Sequence, residues 1–405
     1  MRILYIASIF PRESEEDNIY TDLAEELKLK GHDVVVIVSD ERKNIKETKL
    51  CIERNIKVLR VKTGNLYNVS SFEKATSFIT MQNKLKNAIN KYLNGQEFDL
   101  ILFMAPPVTM YSVIKFAMDK FKCISYLMQK DIFPQNALDL EMLSKRNPAY
   151  WYFRSVEKKL YKTATIIGCM SDENKKYLLS NNKFLENNKI EIFPNTIKVD
   201  KRTFSKKISI REKYNIDKNK VIAIYGGNFG KPQGIDFLIK VLNEYKNSNI
   251  VQFILIGKGT EKDRLSDYIK NNNFKNVIYL EYVPQAEYCE ILSQSDIGLV
   301  FLDYRFTIPN IPSRTLRYFE YSLPIMAATD ENTDYKNLIE NKSMAGLWCK
   351  SNDIDGFKNR FNFLIKNTWT RKEMGKNGRK YLEENLKVEN SVDILEKMYE
   401  KYKKT

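Results

Sequence analysis

A chain of 405 residues with 43% hydrophobic and 29% charged side chains is long enough for two cores and too balanced in composition for a disordered or fibrous protein. Its net charge of +15 favours anionic partners, but the basic residues are spread along the chain. They form no zinc-finger, RNP or basic-zipper pattern, which excludes the familiar nucleic-acid readers and leaves a Lys-rich soluble surface or one that rests on an anionic leaflet.

The start, Met1 to Phe10, is apolar enough to suggest a signal peptide, yet Pro11 to Glu16 offers no small-residue cleavage site. It is expected to be a buried strand, Arg2–Ile9. A helix is predicted over Ile19–Lys30, ending at Gly31, and then strands at Asp33–Val38 and Ile56–Val61. A long helix, Ser71–Leu93, precedes a strand at Leu100–Met104 that ends on Ala105, Pro106 and Pro107. Further strands are expected at Cys123–Leu127, Ala164–Cys169 and Ile190–Phe193, with a turn at Asp131–Pro134. Pro194 and Asn195 open the linker.

The same alternation restarts after Lys220. Val221–Tyr225 reads as a strand and Gly234–Tyr245 as a helix, followed by a strand at Ile250–Ile256 and a helix from Glu261 to Asn271. Strands are predicted again at Val277–Leu280, Ile297–Phe301 and Ile325–Ala328. Buried strand runs alternating with helices imply α/β architecture: two doubly wound, Rossmann-like domains with ligands at the carboxyl ends of the strands. The boundaries expected are 1–195 and 196–391, with the final helix, about 392–405, returning to the first domain. No run approaches the roughly 20 apolar residues that span a bilayer. Five scattered cysteines, without a C-x-x-C pair, suit a reducing cytoplasm.

Two clusters carry chemistry. Tyr225-Gly-Gly-Asn-Phe-Gly-Lys-Pro-Gln-Gly234 lies between a strand and a helix, where glycines allow close approach of the backbone and Lys231 adds a positive charge. A diphosphate is the natural guest; the plain alternative is a tight turn. The sequence is neither G-x-G-x-x-G nor a Walker loop, so a dehydrogenase and a P-loop NTPase both lose ground. The second cluster runs from Thr307 to Tyr318. Pro312 and Ser313 suit a helix start and would place Arg314 in its first turn. A cation is unfavourable there because of the helix dipole, so Arg314 and Arg317 suggest either an anionic ligand or pairing with a nearby carboxylate. Asp353-Ile-Asp355 imitates a metal-binding D-x-D motif but fits helix capping better. The single histidine, His32, sits in a turn before a strand and suits a structural role. Lys145–Arg154 mixes basic and aromatic residues, as a membrane-resting patch or a packed core segment would.

In order along the chain, Gly31–Val34, Pro106–Pro107, Asp131–Pro134, Met170–Ser171, Pro194–Asn195, Gly226–Gly234, Phe253–Gly259, Ile311–Leu316 with Pro324–Ile325, and Met374–Arg379 resemble the large group 1 family of retaining glycosyltransferases with the GT-B fold of two facing Rossmann-like domains. The likeness is closest to bacterial members that build O-antigen and capsule, several of which transfer N-acetylated amino sugars. The resemblance implies transfer of a sugar from a nucleotide-sugar donor, expected to be a UDP-sugar, to a hydroxyl of a growing glycan. The acceptor would be polyprenyl-diphosphate-linked, and the enzyme cytoplasmic or peripheral on the inner face of the membrane. No cofactor, metal or nucleic acid is expected.

Carried onto this sequence, the resemblance places Asn228, Gly230 and Lys231 on the donor diphosphate, with Ser313 and Arg314 opposite. Gly257, Tyr282 and Val283 would border the base; Gly227, Thr315, Arg317 and Tyr318 complete the donor set. Asp131 would face the sugar and acceptor beside the Pro11–Asp17 loop, and Lys231, Arg314 and Asp131 form the expected catalytic set. Two departures stand out. Pro309 and Arg317 stand where the family carries a glutamate pair, and no histidine matches the family's first-domain histidine; Glu320 or Tyr318 could substitute at the ribose. These departures motivate a rival reading, a catalytically silent nucleotide-binding scaffold. A nucleotide-sugar epimerase fits the order of motifs less well.

Overall fold

The computed structural model describes residues 1–15, 17–65, 71–199 and 209–403. Glu16 of the expected amino-terminal loop and Lys404 and Thr405 of the expected last helix lie outside them. The chain divides into two compact units, Met1–Lys198 with Val388–Thr405, and Val199–Lys387.

The first unit contains β1 (Arg2–Ala7), α1 (Ile19–Leu29), β2 (Asp33–Glu41), β3 (Lys49–Glu53), β4 (Ile56–Thr63), α2 (Ser71–Tyr92), β5 (Leu100–Ala105), α3 (Tyr111–Phe121), β6 (Ile124–Gln129), α4 (Gln135–Asp139), α5 (Pro148–Thr163), β7 (Ile166–Cys169), α6 (Asp172–Asn181) and β8 (Ile190–Ile192). Its sheet runs β3-β4-β2-β1-β5-β6-β7-β8, parallel except for β3. The central strands are buried on both faces, which is why they read as continuous apolar runs. One face packs Leu85, Ile89 and Leu160 over Leu4, Ile101 and Leu127. The other packs Leu23, Leu27 and Leu395 over Ile3, Tyr5 and Leu102. Helix starts follow local chemistry. Asn18 forms a reciprocal capping box with Thr21, and Asn147 caps α5 with Pro148 in the first turn.

The second unit contains α7 (Ile210–Lys213), β9 (Val221–Gly226), α8 (Ile235–Glu244), β10 (Val251–Ile256), α9 (Lys262–Asn271), β11 (Val277–Leu280), α10 (Gln285–Ser293), β12 (Ile297–Phe301), α11 (Arg314–Glu320), β13 (Ile325–Thr329), β14 (Gly346–Lys350), α12 (Ile354–Lys366) and α13 (Thr368–Asn385). Its parallel sheet runs β11-β10-β9-β12-β13-β14. Aromatic residues dominate one face, where Phe237, Phe301, Phe357 and Phe361 pack ring against ring. Asp353 Oδ1 accepts from the Gly356 N–H at 2.9 Å, so the D-x-D imitation is a helix cap.

The last helix, α14 (Val388–Lys403), belongs to the first unit and packs on α1. The Thr196 and Ser391 hydroxyls pair at 2.8 Å, and His32 Nε2 meets Glu396 Oε1 at 2.9 Å. His32 is buried, and desolvation lowers its pKa. Each unit is thus doubly wound α/β, as expected. Strands β3 and β14 are absent from the sequence reading: β3 pairs only at the sheet edge and is mostly exposed, so it lacks the apolar run that marks the others.

Candidate functional site

In the second unit the strand order reverses direction between β9 and β12, and ligands of doubly wound sheets bind at such a switch point. The loops after these strands, 227–234 and 302–313, meet there: the Asp303 N–H donates to Pro232 O at 3.0 Å. Backbone bonds also tie the β9 loop to its other neighbour. Gly227 N–H donates to Ile256 O and Phe229 N–H to Lys258 O, while Gly257 N–H reaches Leu280 O. Such closeness requires glycine. A Cβ on Gly257, whose φ is +157°, would stand 1.7 Å from Gly227 O, and one on Gly259 would stand 2.3 Å from Phe229 O.

Arg314 lies against this loop. Its Cζ is 4.3 Å from the Tyr225 ring centroid, a cation–π contact, and Nη2 donates to Gln233 Oε1. Nη1 is buried without a partner. A Cβ on Gly227 would approach the guanidinium to 3.0 Å, so this glycine keeps the cation uncovered. Among the described residues no carboxylate pairs with Arg314, which removes the carboxylate alternative for this residue. Tyr225 joins the two halves: its ring carries Arg314 and its hydroxyl donates to Asn228 O at 2.9 Å. Lys231 is exposed and, among the described residues, free of side-chain partners. Asn228, Gly230 and Lys231 therefore share one loop beside Arg314, and Ser313 is exposed immediately before it.

Other expected donor residues lie differently. Tyr318 is fully buried, and its hydroxyl accepts from Gly226 N–H at 3.1 Å and faces Ile224 O and Leu299 O at 3.2 Å. It holds β9 to β12 from within the core and is closed to a ribose. Thr315 is likewise buried, its hydroxyl 2.7 Å from that of Tyr335. Arg317 pairs with the buried Glu320 at 2.6 Å, so the carboxylate alternative is realised one helical turn beyond Arg314. Tyr282 is exposed, with Lys258 Nζ 4.7 Å from its ring centroid, while Val283 is buried. Gly257 lies in the loop after β10, next to the β9 loop.

Sequence reasoning missed Tyr225, Gln233 and Tyr288. The pair Tyr225 and Gln233 brackets the glycine loop, a position that could have flagged them. Tyr288 gives no such signal; its hydroxyl lies where a Cβ on Gly226 would meet it at 2.1 Å.

In the first unit Asp131 follows β6. Its Oδ2 accepts from Asn136 Nδ2 at 2.7 Å, and its Oδ1 is buried without a partner. Burial raises its pKa from the usual 3.8 to about 6. The basic–aromatic segment divides in two. Tyr150 is buried, whereas Trp151 and Tyr152 are 58% and 59% exposed beside exposed Lys145 and Arg146. Among the described residues no helix is long and apolar enough to cross a membrane.

Residues 206–381 match the family model described as glycosyl transferases group 1. An uncharacterized glycosyltransferase of Methanocaldococcus jannaschii is 24% identical over 65% of this chain and 65% of its own length. The probable glycosyltransferase WbjE of Pseudomonas aeruginosa is 24% identical over 62% of this chain and 60% of its own. This chain therefore aligns with less than two thirds of either relative. Among solved structures, the sucrose-phosphate synthase of Thermosynechococcus elongatus superposes with a TM-score of 0.78 at 15% identity, covering 99% of each chain. The Anabaena protein HepE in complex with UDP gives 0.67 at 14% identity, covering 98% of this chain and 99% of that one. These likenesses show the fold.

Proposed function

From the group 1 glycosyltransferase match at residues 206–381, we propose that this protein transfers a sugar from a UDP-sugar to a hydroxyl of a growing, lipid-linked surface glycan, with retention and without a metal. The donor sugar in this reading is an N-acetylated amino sugar. One observation carries it: the Arg314 guanidinium, seated on Tyr225 without a carboxylate and with Nη1 unpartnered, beside the free ammonium of Lys231. A half-buried cation whose Nη1 is shut from water without a counter-charge is costly, and a diphosphate reaching both groups would remove the cost. HepE in its UDP complex shares the fold, which supports the choice of UDP.

Chemically, the bond from sugar to diphosphate ionises, leaving positive charge on the sugar and negative charge on the departing phosphate. Lys231 and Arg314 stabilise that leaving group in place of a metal. The acceptor hydroxyl attacks on the same face and gives its proton to the leaving phosphate. Asp131, in the first unit, positions the acceptor or the sugar. The exposed Trp151 and Tyr152, with Lys145 and Arg146, support peripheral contact with an anionic membrane.

A second reading, a silent nucleotide-binding scaffold, draws on Arg317 and its pairing with Glu320 where the family carries an acid free to meet the ribose. UDP release dependent on a lipid-linked acceptor separates the two. For the donor site itself, thermal shift against UDP, GDP, ADP and CMP should show the largest stabilisation with UDP, lost in Lys231→Ala and Arg314→Ala. No response to any nucleotide would contradict the assignment.

A further inference from the structure

Gly226, the last residue of β9, does not adopt a positive φ, so its backbone does not call for a glycine. A glycine inside a strand weakens it and marks a place where another group approaches closely. Here the approaching group is Tyr288 of α10. A Cβ on Gly226 would stand 2.1 Å from the Tyr288 hydroxyl and 2.7 Å from its Cζ. The next residue, Gly227, makes room in the same way for the Arg314 guanidinium. Two consecutive glycines thus admit two side chains, one phenolic and one cationic, to the carboxyl end of β9.

The protein itself does not use the Tyr288 hydroxyl. Among the described residues it makes no hydrogen bond, and it is not shut from solvent. The groups around it are satisfied elsewhere. Gly226 N–H donates to the Tyr318 hydroxyl at 3.1 Å, and the Tyr225 hydroxyl donates to Asn228 O at 2.9 Å. The backbone of Tyr288 is fixed, its N–H donating to Pro284 O at 2.9 Å in the first turn of α10. Burial pushes the phenol up to about 12 against the pull of Arg314 and Arg317, so the hydroxyl keeps its proton at neutral pH. It can both donate and accept, and a phenylalanine would fill the same space without it.

In the proposed donor complex the diphosphate lies at Asn228–Lys231 and Arg314, and the base at Tyr282 and Val283. Ribose joins base to diphosphate in any nucleoside diphosphate. Tyr288 stands between the two segments, one helical turn after Pro284 and against the residue that precedes the glycine loop. The other groups expected at the ribose are spent: Tyr318 is inside the core and Glu320 is buried against Arg317. We infer that Tyr288 holds the ribose of the donor, its hydroxyl hydrogen-bonding a ribose hydroxyl, with Gly226 the residue that admits it. The identity of the ligand rests on the donor-site proposal. A site that bonds a ligand hydroxyl discriminates against the analogue that lacks it.

The test is isothermal titration of the full chain with UDP, 2′-deoxy-UDP and 3′-deoxy-UDP, comparing wild type, Tyr288→Phe and Arg314→Ala. Tyr288→Phe keeps the ring and loses a hydroxyl that bonds nothing in the protein, so its ligand-free melting temperature should match that of wild type. It should bind UDP about five- to tenfold more weakly, as loss of one hydrogen bond implies. For at least one deoxy analogue, the one lacking the contacted hydroxyl, wild type and Tyr288→Phe should bind alike. A tyrosine that only shapes the site would weaken UDP and both analogues to the same degree, which would overturn the inference. So would UDP affinity that Arg314→Ala lowers and Tyr288→Phe leaves unchanged, and in that case the donor site would stand. A wild type that does not bind UDP overturns the donor site and this inference with it.

Discussion

Two sheet edges in this protein each present a basic side chain without a carboxylate partner, and they hold it differently. In the second unit Arg314 is fixed by the Tyr225 ring, by Gln233 and by a glycine loop zipped to its neighbours. In the first unit Lys130 rests on one aromatic ring with no hydrogen bond, beside Asp131, whose Oδ1 is unpartnered. Arginine stays charged at any pH of interest, while lysine and aspartate can be moved by burial. The second unit thus offers a permanent, preorganised charge, and the first offers groups that titrate near neutrality.

The largest effect that tests this contrast is on nucleotide binding. Arg314→Ala removes a charge-assisted contact and should weaken UDP about 100-fold, a loss of roughly 3 kcal/mol within the range for truncating a buried charged partner. Isothermal titration measures it, and a change under threefold would place the diphosphate elsewhere. Next comes the pH dependence of Asp131. Its folded pKa of about 6 lies above the ordinary 3.8, so the native state holds the proton more tightly than the unfolded chain. Its favourable contribution is complete below pH 3.8 and lost as pH rises through about 6. Discounted for partial exposure, Asp131→Asn should gain on the order of 2 kcal/mol over wild type at neutral pH and little in acid. Denaturant melts at several pH values read this directly, and a pH-independent difference would contradict it.

Tyr225→Phe should have a smaller effect. It keeps the ring beneath Arg314 and loses the hydroxyl with its bond to Asn228 O, so UDP should weaken severalfold, about 1 kcal/mol. Tyr225→Leu, which also removes the ring, should lose more. If the two variants behave alike, the ring does not position Arg314. Smallest is the membrane effect: Trp151→Ala with Tyr152→Ala should lower binding to vesicles containing anionic lipid a few-fold and leave UDP binding unchanged. Vesicle co-sedimentation reads the first part and titration the second.

The architecture was legible because strands such as Leu100–Ala105 and Val251–Ile256 are buried on both faces and leave unbroken apolar runs. Edge strand β3 left none. Within the site, the spacing of Gly226–Gly234 and the Pro312–Ser313 helix start pointed to Lys231 and Arg314 because both signals are local. The inward turn of Tyr318 and Thr315 was hidden, since sequence position on a helix does not reveal which side meets the sheet. Which of Arg314 and Arg317 carries the carboxylate was legible from spacing: Glu320 is three residues from Arg317 and six from Arg314. A helical turn joins only the nearer pair. Tyr288 gave no signal because it meets Gly226 only through the fold, the two being distant in the chain.

We propose that the second unit binds a nucleoside diphosphate between its glycine loop and Arg314. An experimental structure of the full chain with UDP tests it most directly. Diphosphate oxygens should lie within hydrogen-bonding distance of Arg314 Nη1 and Lys231 Nζ, with Tyr225 still beneath the guanidinium. A diphosphate bound away from both side chains would contradict it.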